Sequence, residues 1–584
     1  MTAAVLRRRA STLVLLAPVM LLLGLFFLQP VLSFLARGLT TETGALSGVH
    51  VERLFASAAY GQVMWTSIKL SFWVTLASIV IGYPVAYLLA TTDKSRRSYW
   101  ALFVLLPFWS SFLVRTFAWI VILGRNGPVN AMLTGSGLTE RSQELLYSWF
   151  AVVVGMTNVL APFAILTMLG VMEGIDRRVV RAAETLGARP VQAFFRVFLP
   201  LSMPGVTAAG LMVFITALGF FIAPALLGSV RQTMIAQLVI QQILELTNWP
   251  FAAVLCLMLL IAAFAIFWLY DRLVGLSSLA GEVRAGGLGA TGLAARAARS
   301  GRRLIDATGD GLARLAGWTL GEGRPASRGR GTGIAAVAVI VFLLAPLLFL
   351  IPVSVSEQSF VAWPPRGVTF KWYAEIFASP LWMGAAGLSF LVAFLTALLC
   401  FAVAVPAAFA FLRLTGWSAG ALFALMVSPL IVPRMVVAVS LFYLYARLGL
   451  VGTTLGLVIG HTVIALPFFF IAVVAVLKTY DRRLDQAAAS LGASPWVTAR
   501  RVTLPLVGTG LVSAALFAFV VSLDELNIAL FASGGLNATL PKLMWDEATL
   551  RFSPLLAAVS TLVLVVMSIL VIAALRLRTQ STEA

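Results

Sequence analysis

Apolar residues in this chain gather in long runs, and charged residues fall mostly in the segments between them. The runs lie near 12–36, 62–91, 99–123, 147–172, 201–228 and 250–271, then near 332–353, 383–412, 421–445, 455–478, 506–532 and 554–575. Most reach the roughly 20 residues that a helix needs to cross a bilayer core. In lipid the backbone groups must be paired within the segment, which a helix achieves. The alternating pattern of a membrane barrel is missing. The pattern predicts an all-α polytopic membrane protein of about 12 spans. The first run follows Arg7, Arg8 and Arg9 and resembles a secretion signal. It is longer than a usual signal core and has no clear small-x-small site after it, so an uncleaved span is expected.

The pattern repeats. "RAAETLGARPVQAFFRVFLPLSMPG" (181–205) returns without a gap as "QAAASLGASPWVTARRVTLPLVGTG" (486–510), 305 positions later. "VVVGMTNVLAPF", ending at Phe163, parallels "LVIGHTVIALPF", ending at Phe468, at the same offset. Earlier, Ser67, Pro84 and Pro107 match Ser389, Pro406 and Pro429 at an offset of 322. The difference of 17 residues fits the loop "GRNGPVNAMLTGSGLTERSQELL" of the first half. Each half holds an even number of spans, so the repeat is parallel, about an axis along the membrane normal, as in many transporters. The expected domains are a first half at 1–274 and a second half at 334–584. Between them, 275–333 is rich in Gly, Ala and Arg, cannot bury a core, and reads as a cytoplasmic linker.

Composition narrows the function. Of the residues, 60% are hydrophobic and only 11% charged, too few to coat a soluble domain. The formal net charge of +19 concentrates in alternate loops, as the positive-inside rule expects with both termini cytoplasmic. Topology thus accounts for the charge without nucleic acid. His50 and His461 are the only histidines, and Cys256 and Cys400 both lie in apolar runs. No metal site, cofactor or catalytic triad is expected from them, which argues against a membrane-embedded enzyme. None of the five lysines follows a glycine, so no nucleotide-binding P-loop is present.

The repeated islands, taken as 176–205 and 481–510, read as short helix, Gly turn, short helix, then a Leu-Pro step into the membrane. Gly187 and Gly492 suit a left-handed helix end. Ser494 and Pro495 suit the start of the next helix, and the first copy has no such cap. The first copy is therefore expected to be the less ordered. These islands resemble the cytoplasmic EAA loop of binding-protein-dependent ABC transporter permeases. The match is carried by Ala182, Ala183, Gly187, Leu199 and Pro200, and by Ala487, Ala488, Gly492, Leu504 and Pro505. It departs at the Glu, which is Arg181 in one copy and Gln486 in the other. "LPFWSSFLVRTFAWIVILGRNGPVN" and "LGFFIAPALLG" resemble the first permease subunit of spermidine/putrescine-type importers. "RLGLVGTTLGLVIGHTVIALPFF" and "FAFVVSLDELNIALFASG" resemble the second.

The resemblance implies two tandem six-helix type I importer halves, fused in one chain in a bacterial inner membrane. It implies two copies of a separate ATPase, carrying ATP and Mg, docked on the two islands. A periplasmic or lipid-anchored binding protein would deliver the solute, most naturally a polyamine. Relatives of the same class handle ferric ion, aminoethylphosphonate or opines, and a secondary transporter is a further alternative. For the path, acidic groups within spans are costly and tend to be functional or paired. Asp524 and Glu525 in "FVVSLDELNIALF" are expected on one helix, about 100° apart, so that one faces the path. They are either substrate contacts or partners of Arg115 or Arg434. Trp109, Phe117, Trp119 and Phe220 are candidates for its wall, or plain packing.

Overall fold

The computed structural model describes residues 3–41, 44–274, 330–534, 537–551 and 553–583. The expected linker falls almost wholly outside the described residues. The described residues are helical apart from turns and two isolated bridges. Nine helices among them are long and apolar enough to cross a membrane, or eleven if each of two bent pairs is one span. The apolar stretch Pro554–Leu570 supplies a twelfth.

The two halves repeat element by element at the offsets read from the sequence. Ala58–Thr91 corresponds to Pro380–Phe411, Trp149–Met172 to Thr454–Thr479, and Leu199–Leu218 to Leu504–Leu523. The repeated serines explain one conserved joint. Ser67 Oγ accepts the Ile235 N–H at 3.0 Å, and Ser389 Oγ accepts the Leu540 N–H at 2.6 Å. Each hydroxyl thereby takes up one of the free N–H groups at a helix start.

The halves are interlocked by their first spans. Thr12–Arg37 packs on Pro380–Phe411 of the second half, and Gly333–Ser354 packs on Ala58–Thr91 of the first. Asn158 reinforces this exchange by donating to the Phe342 carbonyl at 2.8 Å.

Two features differ from the expected spans. The third and ninth runs are broken, with bends of 91° between Tyr99–Trp109 and Phe112–Gly135 and 94° between Gly416–Ile431 and Arg434–Leu448. Pro433 disfavours helical conformation at Val432, whose ψ is 126°. At the matching position Ser110 is extended, and its hydroxyl turns back to the Pro107 carbonyl at 2.8 Å. The fifth and eleventh runs also stop early, at Leu218 and Leu523, and resume as the short helices Ile222–Leu227 and Asn527–Ala532.

The short helices sit tightly because Gly155 and Gly460 lie beneath them. A Cβ would come within 2.3 Å of Leu227 Cδ1 at Gly155 and 2.7 Å of Ile528 Cγ2 at Gly460. Gly460→Val is therefore expected to lower stability by about 1–3 kcal/mol, the usual cost of overpacking. The thermal midpoint of the detergent-solubilised chain should fall. An unchanged midpoint would mean that the short helix does not need this close approach.

In the islands, Gly187 and Gly492 adopt φ of +90° and +86°, as the left-handed reading requires. Asp176 Oδ1 caps Arg177–Thr185 through the Arg178 N–H at 2.8 Å, and Asp481 Oδ1 caps Arg483–Ser490 through the Arg483 N–H at 2.9 Å. The expected imbalance between copies is corrected. Ser494 does receive the Val497 N–H, at 3.4 Å, but in the first copy Gln192 Oε1 accepts the Arg189 N–H at 3.1 Å. A residue inside the helix closes the end that lacks a capping hydroxyl.

Candidate functional site

The breaks in the third and ninth spans and the ends of the fifth and eleventh meet between the halves. They enclose a cavity of about 220 Å³ lined by Phe112, Phe163, Gly219, Phe220, Pro433, Arg434 and Phe468, among others. A smaller one of about 50 Å³ adjoins it and shares Phe112, Phe163, Arg434 and Phe468. Trp109, Phe517 and Asp524 complete that smaller space. Aromatic rings form its frame. Trp109 and Phe517 stand 5.0 Å apart, Phe517 and Phe468 5.5 Å, and Phe108 and Phe163 4.8 Å.

Asp524 and Glu525 do not share a helix, which corrects the expected geometry. The helix ends at Leu523, Asp524 follows as its cap, and Glu525 belongs to the next turn. Glu525 is 1% exposed. Its Oε1 accepts the N–H groups of Asn527 at 2.8 Å and Ile528 at 3.3 Å, which caps the short helix. Its Oε2 lies 3.5 Å from Arg434 Nη1. The paired reading therefore describes Glu525, with Arg434 as the partner. His461, also buried, joins the same end of the helix through a 2.8 Å contact between Nδ1 and Ser522 Oγ.

Asp524 reaches across to the first half. Its carboxylate shares one cavity lining with Phe112 and another with Ser111, at the start of the helix Phe112–Leu123. A carboxylate there is favoured by the free N–H groups of a helix start. The symmetry-related contact has no side chain to offer: Gly219 faces Pro433, with a virtual Cβ 3.1 Å from the proline Cβ. One acidic group thus stands on one side of a pseudo-symmetric joint.

Arg115 is near Asp524, and its two Nη groups are engaged elsewhere, while its buried Nε has no hydrogen-bond partner. Nη1 donates to the carbonyls of Asn158 at 3.1 Å and Val159 at 3.2 Å, and Nη2 to Ser110 at 3.3 Å. Pro162 has no N–H, so the Asn158 carbonyl, four residues earlier, lacks its helical donor. The fully buried Arg115 supplies it.

Of the aromatic candidates, Trp109 and Phe220 line the cavities. Phe117 is fully buried, and Trp119 packs on Phe342 at 5.5 Å between ring centroids. Sequence reasoning passed over Ser111, Phe112, Phe163, Phe468 and Phe517 as lining residues. Phe163 and Phe468 were visible as the ends of a repeated segment, but nothing in a repeat says which face turns inward. On the islands, Ala182 and Ala487 are exposed, Ala183 and Ala488 half-buried, and the adjoining Leu186 and Leu491 are each 88% exposed. Pro200 and Pro505 lie inside the unbroken helices Pro190–Leu218 and Trp496–Leu523, which corrects the expected Leu-Pro step after a second short helix.

These features define a multi-pass, duplicated permease. Residues 70–274 match the family described as binding-protein-dependent transport system inner membrane component. The spermidine/putrescine transport system permease protein PotB of Haemophilus influenzae is 34% identical over 213 residues, covering 36% of this chain and 74% of that protein. The putrescine transport system permease protein PotI of Escherichia coli is 30% identical over 231 residues, covering 38% of this chain and 82% of that protein. A crystal structure of a bacterial alginate ABC transporter, bound to its pentasaccharide-loaded periplasmic protein, superposes with a TM-score of 0.40 at 19% identity, covering 46% of this chain and 93% of that one. The chain belongs to the binding-protein-dependent inner membrane permease family, with two permease halves in one polypeptide. Its relatives are permeases, not enzymes.

Proposed function

We propose that both halves together form the membrane path of an ATP-driven polyamine importer in a bacterial inner membrane, with N- and C-termini cytoplasmic. The reading is supported by the chamber between the halves, where one carboxylate stands among aromatic faces, and by the substrates named for the relatives. An ammonium group gains from both, through charge and through cation–π contact. Glu525 keeps Arg434 engaged and so limits its repulsion of a cation. Ala182, Ala183, Gly187 and Pro200, with Ala487, Ala488, Gly492 and Pro505, would form the two seats for two ATPase copies. ATP and Mg would be bound there, on the partner. A periplasmic or lipid-anchored binding protein would load the chamber from the opposite side.

The test is uptake into vesicles holding this chain, its ATPase and its binding protein. ATP-dependent spermidine or putrescine uptake is expected, and Asp524→Asn should reduce it roughly tenfold or more, the effect of one lost charge-assisted contact. Basal ATPase activity should stay near that of the parent chain. Uptake of aminoethylphosphonate or ferric ion in place of polyamine would overturn the substrate assignment. Uptake driven by an ion gradient after ATP depletion would overturn the class.

A further inference from the structure

A third cavity reaches Asp524 from outside the chamber. Its volume is about 220 Å³, and it lies among the start of Pro380–Phe411, residues 559–567 of Pro554–Leu570, and the helices Lys371–Ala378 and Leu540–Leu550. Phe377, Met383 and Phe390 of its lining are all exposed, the last two on Pro380–Phe411, a helix long and apolar enough to cross a bilayer. Its inner end carries Ser111 and Asp524, and every other lining residue is apolar.

The chemistry at that inner end is specific. Asp524 and Ser111 are the two polar residues that line it, and a carboxylate offers about four lone-pair sites. Arg115 spends both Nη groups on three carbonyls. A neutral hydrocarbon chain would fill the walls and leave the Asp524 carboxylate and the Ser111 hydroxyl with no polar partner from the cavity side. A chain ending in an ammonium group satisfies both surfaces together.

We propose that this cavity is a lateral binding site for primary alkylamines that enter from the bilayer, with the ammonium group on Asp524 and the alkyl chain between Met544 and Val563. It is distinct from the chamber but ends on the same carboxylate. Binding here does not depend on which solute the chain transports, so its test leaves the transport assay aside.

The test compares two photoreactive probes of equal length, a diazirine-bearing octylamine and the corresponding octanol, on the full chain in lipid nanodiscs. Labelled peptides are mapped by mass spectrometry. The amine is expected to label 376–390 and 559–567 about tenfold more than the alcohol, the ratio one charge-assisted contact supplies. Asp524→Asn should abolish that preference. Ala386→Trp, which fills the cavity from its wall, should remove labelling by both probes. Equal labelling by amine and alcohol would show a plain acyl-chain crevice and overturn the proposal. So would a preference that survives Asp524→Asn, or no labelling of these segments by either probe.

Discussion

Gly187→Val and Gly492→Val are each expected to abolish most binding-protein-stimulated ATP turnover while leaving the membrane spans folded. Both glycines sit at positive φ, +90° and +86°, between the short helix of an island and the long helix that follows it. A Cβ at either would meet nothing within 4 Å, so the penalty lies in the backbone and not in a clash. Holding a β-branched residue there costs about 1–3 kcal/mol, and the island escapes the cost by changing the angle between its helices. Leu186 and Leu491, 88% exposed beside the turns, would then point away from any partner they meet. The corresponding drop in stimulated turnover is roughly five- to hundredfold. Gly187→Asn is the control, because Asn tolerates the left-handed region. Co-purification with the ATPase, followed by turnover in vesicles, reads the effect. Normal stimulation in both Val variants would show that the islands do not couple hydrolysis to transport.

Arg434→Leu is expected to be the most damaging single change in the interior. It strands the Glu525 carboxylate, which is 1% exposed. Breaking a buried pair from one side costs about 3–5 kcal/mol. The value here should fall near the lower end, because the Arg434 side chain is 27% exposed and partly screened. Glu525 also caps Asn527–Ala532, so its displacement loosens the short helix that borders the chamber. The double change Arg434→Leu with Glu525→Gln should recover much of the loss. Gln retains the oxygen that accepts the Asn527 and Ile528 amides and carries no charge to strand. The measurements are the yield of monodisperse protein and its thermal midpoint in detergent. A parent-like midpoint for Arg434→Leu alone would mean that the 3.5 Å pair contributes nothing.

The class of protein was legible along the chain because the bilayer imposes a length and a composition on each span. The duplication was legible because both halves face the same bilayer and retain the same breaks. Offsets of 305 and 322 reappear as matched helices, matched glycine turns and matched serine caps. The left-handed turns at Gly187 and Gly492 were readable because that conformation is local, decided within a few residues. Hydropathy did not show the breaks at Ser110–Ser111 and Val432–Pro433, since both sides of each break are equally apolar.

Tertiary structure alone separated Asp524 from Glu525. Adjacent in sequence, they part because the helix stops at Leu523, so that Glu525 caps the next short helix and pairs with Arg434 while Asp524 lines the cavities beside Ser111 and Phe112 of the opposite half. It alone assigned Arg115 to the carbonyl freed by Pro162, a contact 43 positions distant along the chain. The sequence by itself therefore determined the spans, their repetition and the local turns, which depend on neighbouring residues and on the solvent. Which side chains line the path, and which hold it together, depended on contacts between distant segments, and a periodicity of apolar residues carries no record of them.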